Sequence, residues 1–371
     1  MRLVETLEQP LPLVAVLEVS GAVLSWIIDS PADPADPAEA AAITFTDTAR
    51  ADWLWRVVGE SGHVALLSAV ETPAEFSDLQ LVSGSMVPLR RLALGHWLRR
   101  WWPASQRDGI PTLDRALLDV EVALLTVEAQ GFFTDDTLDS DVTQLLAPHA
   151  AALIGHARTD DTRVSGLVRA GAELAEEVGL DGEDWAELSA AVADSSLALT
   201  MPTGYRDDYA LAAGAQSGPS SGTAIGRGVA SINWGAVPPG IFDAAEDTVD
   251  WSVEAAGPAV VAVVRAAVIG PEPATDVAVR VRSGDIAGAA ALDAAGRATV
   301  PLVDAQRGDL TESAAWNHDW PATSVVIGAP IPEASEPREA RDRIRTWVRA
   351  RLDQPPPDAY LAEILASESS Y

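Results

Sequence analysis

The apolar period of this chain changes on either side of one glycine- and serine-rich stretch, and that change limits the fold more than any other feature. From about Val87 to Ser196 apolar residues recur at three and four residue steps, as in Leu89, Leu92, Ala93, His96 and Trp97. That period places them on one face of a helix. Pro111 is suited to opening a helix with the stripe Leu113, Leu117, Val120, Leu124 and Val127, ending near Gly131. Further helices are expected at about 142–157, 164–178 and 185–199, with Gly179 and Gly182 as punctuation. Beyond the stretch the period is two. Ala259–Ile269 is a β-branched run, and Val277, Val279 and Val281 alternate with Ala278, Arg280 and Arg282. Ala290–Leu302 reads as strand, turn at Asp293–Gly296 and strand, and Ser324–Ile327 as one more strand.

The stretch itself, Gly214–Gly228, offers little to bury and much backbone entropy to lose, so it is read as a linker. N-terminal to the helices, Leu13–Ile28 is rich in β-branched residues around Ser20-Gly21, the pattern of a β-hairpin, and Ile43–Phe45 suits a third short strand. The proline-rich Ser30–Glu39 between them reads as an exposed loop. At the other end Ser335 is placed to cap a helix carrying Arg341, Arg345 and Arg349 as one stripe, beside an apolar face of Ala340, Ile344, Trp347 and Val348. That stripe is expected to rest on an acidic surface of the same protein, with Trp347 as a buried anchor. The expected fold is therefore α+β and multidomain. Residues 1–213 form a mostly helical domain with an initial hairpin, 214–228 a linker, 229–332 an immunoglobulin-like or transthyretin-like antiparallel β-sandwich, and 333–371 a helical tail.

Charge narrows the partners. The chain has 25 basic residues, all arginine, against 55 acidic ones, for a formal net charge of −30. A surface of that sign repels DNA and RNA. The absence of lysine fits a G+C-rich bacterial genome, with adaptation to high salt as the second reading, and it removes P-loop lysines and lysine Schiff bases. The absence of cysteine removes disulfides, thiolate nucleophiles and cysteine-ligated zinc. Glu5 and Glu8 precede the first apolar run, the reverse of a basic signal-peptide start, and Glu18 interrupts that run, so a cytoplasmic location without stable membrane insertion is expected.

Chemical motifs are sparse. Gly226-Arg227-Gly228 resembles part of a phosphate loop, but Ser231 stands in place of the third glycine, and the linker reading is preferred. Histidines 63, 96, 149, 156 and 318 lack the spacing that puts two ligands on one helical turn. The acids at 135, 136, 139 and 141 lack an EF-hand's glycine and glutamate, and Asp207 and Asp208 are an isolated pair. No metal and no cofactor is expected. His318 and Asp319, between Trp316 and Trp320, are the candidate catalytic pair. The densest cluster is Trp97, Arg99, Arg100, Trp101 and Trp102, preceded by Arg90 and Arg91. Arginine with tryptophan is the composition of interface hot spots, so these residues and Trp347 are the candidate contact residues. The expectation is a non-catalytic adaptor contacting other protein subunits. The alternative is a hydrolase using carboxylates and a histidine in a pocket between the two regions.

Overall fold

The computed structural model describes residues 2–3, 13–29, 41–47, 49–69, 82, 84–133, 139–198, 224–257, 259–329 and 338–369. The chain divides into two compact units. The first comprises Met1–Trp102, Leu113–Thr200 and Pro337–Tyr371, the second Pro103–Thr112 and Met201–Glu336. Helices and antiparallel sheets are both well represented, so the molecule is α+β.

In the first unit β2 (Val14–Val19) and β3 (Ala22–Ile27) form the expected hairpin, and β4 (Ala42–Phe45) pairs antiparallel with β3. A two-residue strand, β1 (Arg2–Leu3), adds in parallel to β4. Gly21 closes the hairpin at φ 71°, and a Cβ there would lie 2.2 Å from the Asp47 carbonyl oxygen, so the turn needs glycine twice over. The Trp53 indole donates to the Ser20 carbonyl at 2.7 Å, tying that turn to the next segment.

The helices follow the apolar period. They are α1 (Trp55–Ala69), broken at Gly59, then α2 (Val87–Trp101) with Pro88 in its first turn, and α3 (Arg115–Gln130). After them come α4 (Asp139–Leu146), α5 (Ala150–His156), α6 (Thr162–Glu177) and α7 (Glu183–Ala198). Asp114 caps α3 by accepting from Leu117 N, and Asp161 caps α6 by accepting from Arg163 N. Leu89, Leu92, Ala93 and Trp97 of α2 are buried, and α2 packs against β2.

The second unit holds two antiparallel sheets. One contains β5 (Gly226–Ala230), β6 (Val249–Ala256), β7 (Ala259–Ala266) and β10 (Arg297–Pro301) in the order β10-β7-β6-β5. The other contains β8 (Ala278–Ser283), β9 (Ile286–Ala291) and β11 (Ser324–Ile327) in the order β11-β8-β9. A short helix, α8 (Glu312–Trp316), precedes β11. The C-terminal pair α9 (Arg338–Asp353) and α10 (Leu361–Ser369) belongs to the first unit, where α10 packs on α3.

Three features depart from the sequence reading. The expected linker at Gly214–Gly228 lies outside the described residues up to position 223, and Gly226, Arg227 and Gly228 begin β5 instead of ending a linker. Their glycines admit indoles, because a Cβ on Gly226 would lie 2.6 Å from the Trp320 ring and one on Gly228 2.5 Å from the Trp251 ring. The strand, turn and strand expected over Ala290–Leu302 stand as β9, the turn at Asp293–Gly296 and β10, with Ala298, Val300 and Leu302 buried. The main ladder of β9 is with β8 and that of β10 with β7, while Ala287 N donates to the Val303 carbonyl at 3.0 Å and Val303 N to the Ala287 carbonyl at 2.8 Å. Residues 103–112 cluster with the second unit, held by Asp243, whose carboxylate accepts from Gln106 N at 2.9 Å and Ala245 N at 2.9 Å. The C-terminal helices are part of the first unit's core and not an appended tail; Ser335, their expected cap, lies outside the described residues. No helix among the described residues is long and apolar enough to cross a membrane.

Gly228→Ala should destabilise the second unit by about 1–3 kcal/mol, since the added methyl meets the buried Trp251 ring. Urea melts that superimpose on those of the unaltered protein would show the ring free to move aside.

Candidate functional site

The arginine-tryptophan segment of α2 is largely used inside the first unit. Trp97 is 3% exposed and meets Trp347 of α9 edge to face, ring centroids 5.1 Å apart. Two residues singled out separately in the sequence are thus brought together. Arg351 lies over the other part of that contact, 4.9 Å from the Trp347 ring, and Arg100 stacks over Trp101 at 4.5 Å. Trp101 and Trp102 are partly exposed. Of the C-terminal stripe, Arg341 and Arg345 are buried and Arg349 is exposed.

Arg99 takes part in a cluster that no local motif announced. On the buried side of α3, Asp119 Oδ1 accepts from Arg99 Nε at 2.6 Å and Asp119 Oδ2 from Arg115 Nε at 3.1 Å, and His149 Nε2 lies 2.9 Å from the same Oδ2. Burial by itself would raise the Asp119 carboxyl. The hydrogen bonds to His149 and Arg99 and the charges of Arg115 and Arg99 outweigh it and hold the group below its ordinary value. One turn away in the same region, His156 Nε2 sits 2.7 Å from Asp114 Oδ2. The hydrogen bond to Asp114 raises the His156 pKa against the opposing effect of burial. For Asp114, burial pushes upward, and the His156 and Leu117 hydrogen bonds more than offset it, so its pKa falls.

A second ionic group joins α2, α3, α9 and α10. Arg351 makes a bidentate pair with Glu363 at 2.7 and 2.8 Å and a further bond to Asp358 at 3.0 Å. Asp358 also accepts from Arg90 at 2.7 Å, and Glu121 accepts from Arg91 and from Leu361 N at 2.8 Å. Burial raises the pKa of Glu121 and pushes the Tyr360 hydroxyl well above its ordinary value. Every shifted group here is answered by a partner on a neighbouring helix, which is what an internal ionic lattice requires.

His318 and Asp319 are not brought together. His318 Nε2 lies 2.8 Å from Ser283 Oγ, and its ring meets Trp320 at 4.7 Å, while Asp319 is exposed. A serine oxygen within reach of an imidazole is half of a nucleophile-base pair. Here, however, Ser283 is 1% exposed, and its oxygen is also 3.0 Å from Thr323 Oγ1. Among the described residues no carboxylate bonds to His318 to orient it. The pair therefore pins the segment before β11 to the β8–β9 turn. Asp135, Asp136, Asp207 and Asp208 lie outside the described residues, and Asp139 opens α4. Among the described residues no group of three or more histidine, aspartate or glutamate side chains is arranged to hold a metal.

The second unit also carries a cavity of about 470 Å³ on the sheet of β5, β6 and β7. The register sets Arg227 opposite Ser252 and Ser252 opposite Val263, with Val229 opposite Asp250 and Asp250 opposite Arg265 in the next row. Strand alternation puts those six side chains on one face, while Trp251 and Val264 point into the core and are buried. Among the described residues neither Arg227 nor Arg265 is engaged in an ion pair or side-chain hydrogen bond. Reading β5 as linker hid this face, although the alternation Arg227, Val229 was a signal that it was there.

No family model, no curated protein and no solved structure matches this chain.

Trp347→Ala should cost about 2 kcal/mol, less than a fully buried ring would, because one side of the indole is in solvent; chemical denaturation of the whole chain measures it, and an unchanged midpoint would place the Trp97 contact outside the stabilising core. The Asp114–His156 pair makes a pH prediction. The raised His156 contributes fully below its ordinary 6.5 and loses its contribution as pH climbs through the raised value. The lowered Asp114 contributes above its ordinary 3.8 and loses its contribution as pH drops through the lowered value. The stability gap between the unaltered protein and His156→Gln should therefore be widest near pH 5 and narrow by about pH 9. A gap that stays constant over that range would mean the pair does not titrate as a unit.

Proposed function

We propose that this protein is a non-catalytic binding component, an adaptor that works alongside other protein subunits. The observation that supports it best is the open cavity on the β5–β6–β7 sheet, lined by Arg227, Val229, Asp250, Ser252, Val263 and Arg265, a surface of mixed charge and apolar side chains outside the ion pairs of the first unit. Asp119, Glu121 and Asp358, whose pKa values are displaced, belong to ion pairs within the first unit, which supports a structural use of that chemistry over a hydrolytic one. The same reading takes the second unit as an immunoglobulin-like or transthyretin-like sandwich presenting one sheet face. Its support is two antiparallel sheets within one unit and alternating burial along β7. A cytoplasmic setting is part of the proposal, supported by the absence of cysteine.

Affinity purification of the tagged chain from its native cells, at about 150 mM salt, is expected to recover a protein partner in fixed stoichiometry. Recovery of a lone monomer under those conditions would count against an adaptor.

A further inference from the structure

We propose that two copies of this chain join edge to edge through β5, with Arg227 of each copy facing Val229 of the other and reaching across it to the other's Asp250. This inference is independent of the adaptor reading, since it concerns the chain with itself.

The backbone decides which groups are free. Ala267 N donates to the Thr248 carbonyl at 2.9 Å, and hydrogen bonds along an antiparallel strand alternate from side to side. Asp250, Ser252 and Glu254 therefore turn their backbone groups to β7, and Val249, Trp251 and Val253 turn theirs to β5. The bond from Ile225 N to the Val253 carbonyl, at 2.8 Å, follows the same alternation. Gly226, Gly228 and Ala230 lie opposite those three residues and are bonded inward. The N–H and C=O groups of Arg227 and Val229 thus point away from the sheet, on the side where β5 is the last strand. Among the described residues none of these four groups is hydrogen-bonded. Both residues are exposed, Val229 to 54%, so the groups are open to approach. Other edges differ. By the same reasoning from Gly328 N on the Ala278 carbonyl, β11 turns out Val325 and Ile327, both buried. From Ile28 N on the Leu13 carbonyl, β2 turns out Val14 and Val16, both half-buried, and Glu18.

Self-complementarity identifies the occupant as a second copy. A two-fold axis at Gly228 sets Arg227 opposite Val229 of the second copy and the reverse, so every outward group finds a partner. An axis at Arg227 would set like charges opposite each other. One at Val229 would pair Arg227 with Ser231, past the end of β5. The Gly228 axis also matches charge. Val229 lies opposite Asp250, so Arg227 of the second copy falls in that same row, two strands from Asp250, with their Cα atoms about 10 Å apart. Its stem can lie on Val229 while its guanidinium meets the Asp250 carboxylate. Symmetry repeats the pair. On this face β5, β6 and β7 carry Arg227 and Arg265 against Asp250 and Glu254, so the net charge of −30 is not concentrated where the copies meet. On the other face glycine meets glycine at the axis, and no Cβ stands between the strands.

Sedimentation equilibrium of the full chain at about 150 mM salt, with up to about 100 µM chain, should give the mass of two chains. Val229→Pro removes an outward N–H and no bond to β6, so it should leave the urea midpoint in place and weaken association by about tenfold or more. Arg227→Glu, which leaves every backbone group as it was, should weaken association by a similar factor. Adding Asp250→Arg to Arg227→Glu should restore it, because the pair reforms with its signs exchanged. Arg282→Glu, exposed on β8 in the other sheet, should leave association unchanged. A single-chain mass over the whole concentration range would overturn the proposal. So would a dimer that survives Val229→Pro, or a charge-swapped double variant no stronger than Arg227→Glu alone. If Val229→Pro unfolds the second unit, the charge swap decides by itself. A monomer that captures a different protein, and loses it on Arg227→Glu, would make the occupant a foreign strand and overturn the second copy.

Discussion

The first unit is organised around a charge that cannot be left alone. Glu363 is 0% exposed, and an ionised carboxylate taken that far from water is tolerated only with a complete set of partners. It has them: two nitrogens of Arg351 and the backbone N of Tyr360 at 2.9 Å. Arg351 is in turn shared with Asp358, which Arg90 reaches from α2, and Leu361 N reaches Glu121 on α3. Replacing one member of such a lattice leaves another buried without its counter-charge, which is worth about 3–5 kcal/mol, far more than the surface pair Arg158–Glu187 contributes. The arrangement specifies as much as it stabilises. Only one placement of α9 and α10 satisfies all of these groups together, so the last 30 or so residues of the described chain are fixed by polar geometry on top of apolar packing.

Glycine makes that placement sterically available. Gly95, in the middle of α2, would put a Cβ 2.3 Å from the Tyr360 hydroxyl oxygen and 2.6 Å from Val122. A helix-interior glycine costs about 1 kcal/mol relative to alanine. Here it opens the slot into which Tyr360 descends, and the Tyr360 hydroxyl then donates to the Arg91 carbonyl one turn earlier in α2 at 2.5 Å. The same device recurs in the second unit, where Gly226 and Gly228 let the Trp320 and Trp251 rings approach the β5 backbone. In both units glycine in a regular element marks a large aromatic neighbour.

What the sequence made legible was whatever a short window decides. The hairpin at Ser20-Gly21 and the helical runs of α2, α3, α6 and α7 follow from apolar period and turn chemistry, and they stand where the period places them. Pairing between distant segments was not legible. The turn at Asp293–Gly296 has the chemistry of a hairpin, but β10 finds β7 as partner because Ala298 and Val300 enter the core beside Val264 and Ala262. Trp97 and Trp347 each looked like a contact residue, and no local signal said that they contact each other across 250 positions. Ser283 was invisible beside His318 for the same reason, since only the return of the chain before β11 brings them together. Gly226-Arg227-Gly228 misled most, because glycine content alone cannot separate a linker from a strand that carries an indole on its back.

The distribution of arginine gives the acidic composition a structural meaning. In a chain with 25 arginines and 55 acids, each arginine has a carboxylate to find, and in the first unit Arg90, Arg91, Arg99, Arg115, Arg163 and Arg351 all find one. Carboxylates left over stay in solvent, where they repel one another and other polyanions over roughly one Debye length, about 8 Å at physiological salt. Against that background Arg227 and Arg265, which form no ion pair among the described residues, share one face of the β5–β6–β7 sheet with Asp250, directly opposite Arg265. Arg227 is set on a strand whose glycines are needed for the indoles beneath it, so its position is tied to the core and not to surface drift. Arg265 lies two strands away on β7, the central strand that pairs with both β6 and β10, and is equally fixed. Between the two guanidiniums, on β6, lie Ser252 and Asp250, so this face carries both signs of charge in positions dictated by the sheet.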